Sequence, residues 1–305
     1  MGACLHEYCP GFQPLSAERA RRPALGRLSC EPLREDHKCP WGTHRCSDGM
    51  TTYLILALIL FVAAGVQGIL GFGFGMLSMS FVVVLSPTEL PMKQAVPLVT
   101  GYAMLVNAFL VFRLRDSVVL GGLWPILLGG LIGVPVGVML LKGVPEGPLL
   151  LTLGGVMMVH VMWALRQADP SALDPGRLWA VVAGCCAGAL GASLGTAGPP
   201  VVMYGSTKPW DKNQLRGTLQ AFFLFCCVVQ MTLYVVPDAD GKSLMTMELL
   251  RYNVVLAPVV ALGGVLGLHM SRRVNQEVFR KMVLGGLFFL SLSFVRRGLI
   301  AVEVL

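Results

Sequence analysis

The sequence has little charge and no long alternation of polar and apolar residues. Only 13% of its 305 residues are charged, whereas 55% are hydrophobic; a soluble domain typically has about 25% charged residues. This composition excludes an ordinary soluble protein, and the missing alternation excludes an outer-membrane barrel. Uncharged runs reach the roughly 20 residues that a helix needs to cross a bilayer. The mean hydropathy is +0.69, and the predicted fold class is all-α, a polytopic membrane protein.

Motifs for ATP-driven work and for zinc-dependent proteolysis are also missing. The chain contains no Gly-x-x-x-x-Gly-Lys-Ser/Thr loop and no His-Glu-x-x-His pair, so neither a P-loop nor a zincin site is indicated. The acidic residues after residue 50 fall in loops or near helix ends, which argues against a carboxylate proton relay. We therefore expect no enzyme activity, no catalytic residues, no metal and no cofactor.

The net charge of +7 lies mostly in loops and at the N-terminus. Positive loops are expected of any membrane protein that sets its orientation with lysine and arginine. The charges lack the interleaved aromatic residues of a nucleic-acid surface. The expected partners are the lipid bilayer and a small ligand, with no nucleic acid; a homo-oligomer stays open.

Residues 1–49 differ from the rest of the chain. They contain no apolar run, and no apolar segment precedes a cleavage site, which excludes a signal peptide. Met50 opens the first apolar run, so we predict that 1–49 are a disordered or non-native tail. Two His-x-Cys units in this tail have zinc-type ligands, but their spacing matches no recognised finger and an unstructured tail is the preferred interpretation. These units are His37 with Cys39 and His44 with Cys46.

About eight hydrophobic segments follow Met50, in two similar halves. A polar, turn-rich stretch separates them, so we predict a first transmembrane repeat at 50–168, a loop at 169–176 and a second repeat at 177–305. In each half the first segment is broken and three ordinary helices follow. The predicted segments are 52–85, 94–112, 118–141, 148–165, 178–205, 218–236, 248–270 and 278–296.

Glycine and proline interrupt the first segment of each half at corresponding places. One constant offset aligns Gly65, Gly68 and Gly75 with Gly188, Gly191 and Gly198. A break in a membrane helix exposes backbone groups that lipid cannot satisfy, so it is tolerated only where protein or a cavity surrounds it. Paired breaks in two halves of one chain indicate the substrate site of a transporter. Whether the broken segments are re-entrant, and hence whether the repeats are inverted, is left open at this point.

Several stretches together resemble the sulfite exporter TauE/SafE family. In the first half they are Gln67-Gly-Ile-Leu-Gly-Phe-Gly-Phe-Gly75, the loop from Leu85 to Val96, and Phe112-Arg-Leu-Arg115. The second half supplies Gly195-Thr-Ala-Gly-Pro-Pro-Val-Val-Met-Tyr204 and Lys212-Asn-Gln-Leu-Arg-Gly-Thr218. The resemblance covers roughly 50–300 and implies a transporter of the bacterial inner (plasma) membrane without enzyme activity. It implies export of a small anion such as sulfite, a sulfonate or another organic acid.

A small anion inside a membrane needs hydrogen-bond donors and positive potential, and a half-helix N-terminus offers both. Glycine lets the backbone approach such an anion, while an arginine offers a two-pronged hydrogen-bond donor. The alternative for the glycines is helix packing alone, and for the arginine an ordinary loop charge. The substrate-binding candidates are Gly71, Gly73, Gly75, Ser78, Gly195, Thr196, Gly198, Pro199 and Arg216.

Other polar residues in the spans are candidates of lower rank. Four amides, at Gln67, Asn107, Gln220 and Gln230, could line a pathway or only bridge helices. Histidine is the residue type that suits proton coupling, so His160 and His269 are candidates for it, although such histidines are more often structural. Two functions compete with a carrier: a membrane scaffold or assembly protein without cargo, and an anion channel.

Overall fold

The computed structural model describes residues 47–85, 91–166, 176–237, 243–271, 273 and 275–303, and their regular structure is helical throughout. A 3-10 turn at Arg115–Ser117 separates α3 from α4. The α-helices are α1 (Ser47–Leu70), α2 (Phe74–Leu85), α3 (Met92–Leu114), α4 (Leu120–Gly143), α5 (Glu146–Arg166), α6 (Arg177–Leu194), α7 (Gly198–Gly205), α8 (Lys212–Val235), α9 (Met247–Met270) and α10 (Gln276–Glu303).

This architecture confirms the predicted all-α fold, with the first segment of each repeat broken. Seven of the described helices are long and apolar enough to cross a membrane, and the apolar part of α1, Leu54–Leu70, is shorter. The predicted tail lies outside the described residues except for its last three, which open α1. The predicted loop between the repeats likewise lies outside them except for Gly176.

Local chemistry sets the ends of the helices around the second break. At the end of α6, Gly195 has a φ of +71°, a conformation that glycine adopts without strain. Its N–H donates to the Gly191 carbonyl at 3.0 Å, which closes the helix as a C-cap. α8 starts with a capping box, because Asp211 accepts from the Gln214 N–H at 2.8 Å and its own N–H donates to the Gln214 side chain at 3.0 Å.

The first broken segment is re-entrant. α1 and α3 both lie parallel to α9, so they run in the same direction and α2, which connects them, turns back. α2 has 12 residues, about 18 Å of helix, against a hydrocarbon thickness of about 30 Å. The neighbours that fix these directions are Gly65 with Gly263, Gly68 with Leu268, Gly101 with Asn253, and Gly264 with Val106.

The second broken segment has the same design. α6 and α8 both lie parallel to α4, so α7 turns back between them over 8 residues, about 12 Å. The neighbours that fix these directions are Gly184 with Ile126, Gly188 with Val134, Val119 with Thr218, and Gly130 with Cys226. Each repeat therefore contains one half-helix that enters the protein and does not cross it.

The two repeats have opposite orientations in the fold. Helices that occupy equivalent places in the two halves pack antiparallel, as α3 does with α8 and α5 with α10. Thr100 meets Gln230 while Asn107 meets Cys227, and Leu151 meets Gly298 while Met158 meets Ser291. The question left open by the sequence is thereby answered, and the repeats are inverted.

The structural alignment of the repeats differs by one residue from the glycine alignment. The helix ends pair Leu70 with Leu194 and Phe74 with Gly198. In that register Gly71 is equivalent to Gly195, and both have positive φ, +87° and +71°. The breaks are thus equivalent in backbone conformation. The offset that aligns the three glycine pairs in the sequence is one residue shorter than the offset that aligns the helix ends.

Two glycine seams hold the repeats together. Each repeat's first helix packs most extensively on the third long helix of the other repeat, α6 on α4 and α1 on α9. Gly129, Gly133 and Gly137 of α4 lie directly on the backbone of α6. Small residues permit this close approach, and helix association in lipid depends on packing. The outward surface carries exposed large apolar side chains such as Leu128, Met139 and Phe289, as lipid contact requires.

We predict that Gly133→Ala destabilises the folded protein, whereas Gly121→Ala on the same helix does not. A Cβ at residue 133 would overlap the Cys185 carbonyl oxygen, and a Cβ at residue 121 would meet nothing within 4 Å. Overpacking typically costs about 1–3 kcal/mol. Thermal unfolding in detergent, followed by the loss of the monodisperse peak, measures the difference; equal melting temperatures for the two variants would contradict the seam.

Candidate functional site

The first turns of the two half-helices cross each other inside the bundle. Gly75 of α2 lies so close to the end of α6 that a Cβ there would overlap the Gly195 carbonyl oxygen. In α7, the Cβ position of Gly198 is 3.5 Å from Met76 Cε. The N-termini of α2 and α7 are thereby brought together. The first N–H groups of a helix have no partner within it and carry its positive dipole end.

A cavity of about 60 Å³ lies between these N-termini and the middle of α3 and α8. Each water molecule needs roughly 10–15 Å³ of such volume, so the cavity can take a few waters or one small ion. Among the described residues that line it, none is Lys, Arg, His, Asp or Glu. α3 and α8 contribute Val99, Thr100, Ala103, Asn107, Phe223, Cys226, Cys227 and Gln230.

Three buried amides tie the first break to α3 and α8. Gln67 is central, because its Nε2 donates to Asn107 Oδ1 at 2.5 Å and lies 3.0 Å from Gln220 Oε1. The Phe74 N–H donates to Gln67 Oε1 at 3.2 Å, and Gln220 Nε2 donates to the Gly71 carbonyl at 2.6 Å. These bonds satisfy backbone groups that the break leaves open, as a break within a membrane requires.

Arg216 lies behind the first break. Its guanidinium Nη2 donates to the Gly68 carbonyl oxygen, one of the carbonyls that the end of α1 leaves without a helical partner. Its side chain is 6% exposed and packs against Gly71. It is the only buried Lys, Arg, Asp or Glu in the described part of the chain. A cation at a helix C-terminus also offsets the negative end of the dipole.

The second break is held differently, mostly by its own backbone. The N–H groups of Gly195 and Thr196 donate to the Gly191 and Leu190 carbonyls at 3.0 and 3.3 Å, and Tyr234 donates its hydroxyl to the Ala192 carbonyl at 2.7 Å. The Thr196 hydroxyl lines the cavity without a hydrogen-bond partner, although Thr196 is only 1% exposed. A buried hydroxyl without a partner costs free energy, so a ligand in the cavity would stabilise it.

Of the nine predicted site residues, five line the cavity and four do not. The five are Gly73, Gly75, Gly195, Thr196 and Gly198. The other four surround it: Gly71 accepts from Gln220, Ser78 donates to the Phe74 carbonyl at 2.5 Å, Pro199 is buried in the first turn of α7, and Arg216 binds the end of α1.

The cavity also contains residues that the sequence analysis did not select. Thr100 donates to the Val96 carbonyl at 2.8 Å and lies 3.4 Å from Gln230 Oε1. The sequence feature that could have identified it is a hydroxyl residue in the middle of an apolar span. Cys226 and Cys227 are free thiols whose only sequence signal was their type, and cysteine usually behaves as a small hydrophobe. Three of the four candidate amides line the cavity; Gln220 binds behind it.

The two candidate histidines have different surroundings. His160 is 2% exposed, lies edge-on to Phe72 in the first break with ring centroids 6.2 Å apart, and stacks on Trp163. His269 is exposed near the end of α9. Neither lines the cavity, so direct contact with a substrate there is not their role.

The stretch Gly191-Ala-Ser-Leu-Gly195 matches the Gly-x-Ser-x-Gly pattern of hydrolase nucleophile elbows. In an elbow the serine sits on a strand-to-helix turn. Here Ser193 lies near the end of α6 and donates to the Ala189 carbonyl at 2.7 Å. The helical context does not fit an elbow, and the glycines of this pattern instead form the second break.

The model of the family described as "Sulfite exporter TauE/SafE" matches residues 56–294. This match covers all of the described helices except the first turns of α1 and the last turns of α10. No curated protein and no solved structure matches the chain.

We predict that Gly75→Ala disrupts the fold around the cavity, whereas Gly198→Ala is tolerated. At residue 75 the methyl group would push α2 away from the Gly195 carbonyl, but at residue 198 it would meet only Met76 Cε at ordinary contact distance. Comparison of folded yield and melting temperature of the two variants checks this. Tolerance of both alanines would show that the half-helices do not touch.

Proposed function

The chain belongs to the sulfite exporter TauE/SafE family, hence it is a membrane transporter, and we propose that it is a secondary carrier that exports a small sulfur-containing oxyanion. The cavity at the crossing of α2 and α7 is the proposed substrate site. The observation that carries the proposal is the Thr196 hydroxyl, which is buried without a partner in a cavity that two helix N-termini also face. The proposed location is the inner (plasma) membrane.

The size of the cavity favours a small cargo. About 60 Å³ is several times the roughly 10–15 Å³ that one water needs, which suits an ion of a few heavy atoms such as sulfite or a short sulfonate. The donors that such an oxyanion requires are the N–H groups of Gly75 and Gly198, the Thr196 hydroxyl and the amide of Gln230. The other first-turn positions offer less, because the Phe74 N–H already donates to Gln67 and the two prolines that follow Gly198 have no N–H. The apolar lining, with Val99, Met76 and Phe223, accommodates a short organic substituent.

Inverted repeats provide a route to alternating access. When two halves with opposite orientation exchange conformations, a site at their interface opens first to one side and then to the other. Here the half-helices that form the site belong to different repeats and meet at their first turns. Small movements of one repeat against the other would therefore change access to the cavity. The proposed direction of transport, export, rests on the description of the family.

We predict that Thr196→Val raises the KM for the transported anion about tenfold or more, because a hydrogen bond to a charged group contributes about 1.5–3 kcal/mol. Valine keeps the shape and removes only the donor. The measurement is initial flux of labelled sulfite and of short sulfonates through the full chain in proteoliposomes.

The matched control is Thr232→Val, at an exposed threonine of α8 whose hydroxyl donates to the Val229 carbonyl at 2.7 Å; it should leave KM unchanged. An unchanged KM in Thr196→Val would place the substrate elsewhere. Complete lack of flux from folded protein would favour a scaffold, and currents far above carrier turnover would favour a channel.

A further inference from the structure

The charge near the cavity is concentrated in one side chain that does not touch the cavity. Arg216 is buried at 6% exposure and is always protonated. In the described part of the chain no carboxylate pairs with it, whereas Arg115 pairs with Asp116 at the surface. Its Nε has no partner, and one Nη2 contact goes to the Gly68 carbonyl. A buried charge without a counter-ion is costly, so the site lacks one negative charge.

The helix ends around the cavity contribute almost no net charge. α2 and α7 begin there, and α1 and α6 end there. Each N-terminus is equivalent to about +0.5 charge and each C-terminus to about −0.5, so the four ends cancel. The cavity lining itself has no ionisable side chain other than two thiols among the described residues. The net charge around the cavity is therefore about +1, and it comes from Arg216.

On this basis, and resting on the proposed function, we propose that the carrier selects a monoanion and that Arg216 is its counter-charge, acting across the first break. The substrate would accept hydrogen bonds from Thr196 and the half-helix N–H groups, while Arg216 balances its charge from behind Gly71. A dianion would leave one negative charge uncompensated in a low-dielectric site, where such a charge is expensive. For sulfite, which loses its second proton near neutral pH, the transported form would be hydrogensulfite.

The test compares three probes in proteoliposomes that contain the full chain. Methanesulfonate is a monoanion at every pH used, sulfate is a dianion, and sulfite changes between the two forms. We expect methanesulfonate flux to exceed sulfate flux at least about tenfold. Sulfite flux should fall as the pH rises and the hydrogensulfite fraction falls.

The pH series for methanesulfonate separates titration of the substrate from titration of the protein. The titratable groups near the site are His160, which faces Phe72, and the thiols of Cys226 and Cys227. If one of them controlled transport, methanesulfonate flux would change with pH as well. A sulfite profile that falls while the methanesulfonate profile stays flat assigns the selectivity to the charge of the substrate.

Arg216→Gln provides a readout that a purely structural role would not change. The neutral isostere methanesulfonamide has nearly the shape of methanesulfonate. After subtraction of the leak through protein-free liposomes, the flux ratio of the two probes reports the charge preference independently of folded yield. The wild type should transport methanesulfonate faster than methanesulfonamide. In Arg216→Gln this flux ratio should fall at least about tenfold, and Arg216→Lys should keep most of it.

Failure of this inference is distinguishable from failure of the proposed function. Three results would overturn the monoanion assignment while leaving an anion carrier. They are sulfate flux equal to methanesulfonate flux, sulfite flux that rises with pH, and an unchanged charge preference in Arg216→Gln. If Arg216→Gln does not fold, the wild-type probe series still decides the charge selectivity. No flux of any anion from folded protein would overturn both proposals.

Discussion

The structure depends on the close approach of α2 to the second break, at two residues that have no side chains. Gly75 and Gly195 allow α2 to lie on the end of α6, and this contact brings two helix N-termini to one cavity. Lipid would not satisfy the backbone groups that the breaks expose. The surrounding long helices satisfy them instead, through Gln67, Gln220 and Tyr234. The same helices therefore pack against the breaks and satisfy their backbone groups, and this arrangement forms the cavity.

The two breaks have equivalent backbone geometry but unequal support. The first is held by side chains of α8, including a buried guanidinium, whereas the second is closed largely by backbone hydrogen bonds. This asymmetry has a consequence for the cavity, because the only buried full charge among the described residues lies on the side of the first break. The inverted repeats thus give the two breaks a similar backbone conformation. The residues that differ between the repeats determine which ligand the cavity can bind.

Much of the fold follows from the sequence because membrane helices have a composition and a length that few other structures share. The glycine pairs predicted both breaks, and five of nine site residues line the cavity. Directions of short helices were not predictable, since α7 has only 8 residues and reads as part of one longer span. The sequence marks Arg216 as a substrate-binding candidate, but its position behind Gly71 depends on how α8 packs against α1, which spacing along the chain does not contain.

The most direct test of the account is an experimental structure determined with selenite at mildly acidic pH, where this selenium analogue of sulfite is a monoanion and selenium can be located by anomalous scattering. The account predicts one selenium peak between Gly75 and Gly198, with an oxygen within hydrogen-bonding distance of Thr196 Oγ1 and no direct contact with Arg216. A peak bound directly to the Arg216 guanidinium, or one confined to the exposed loops, would contradict it.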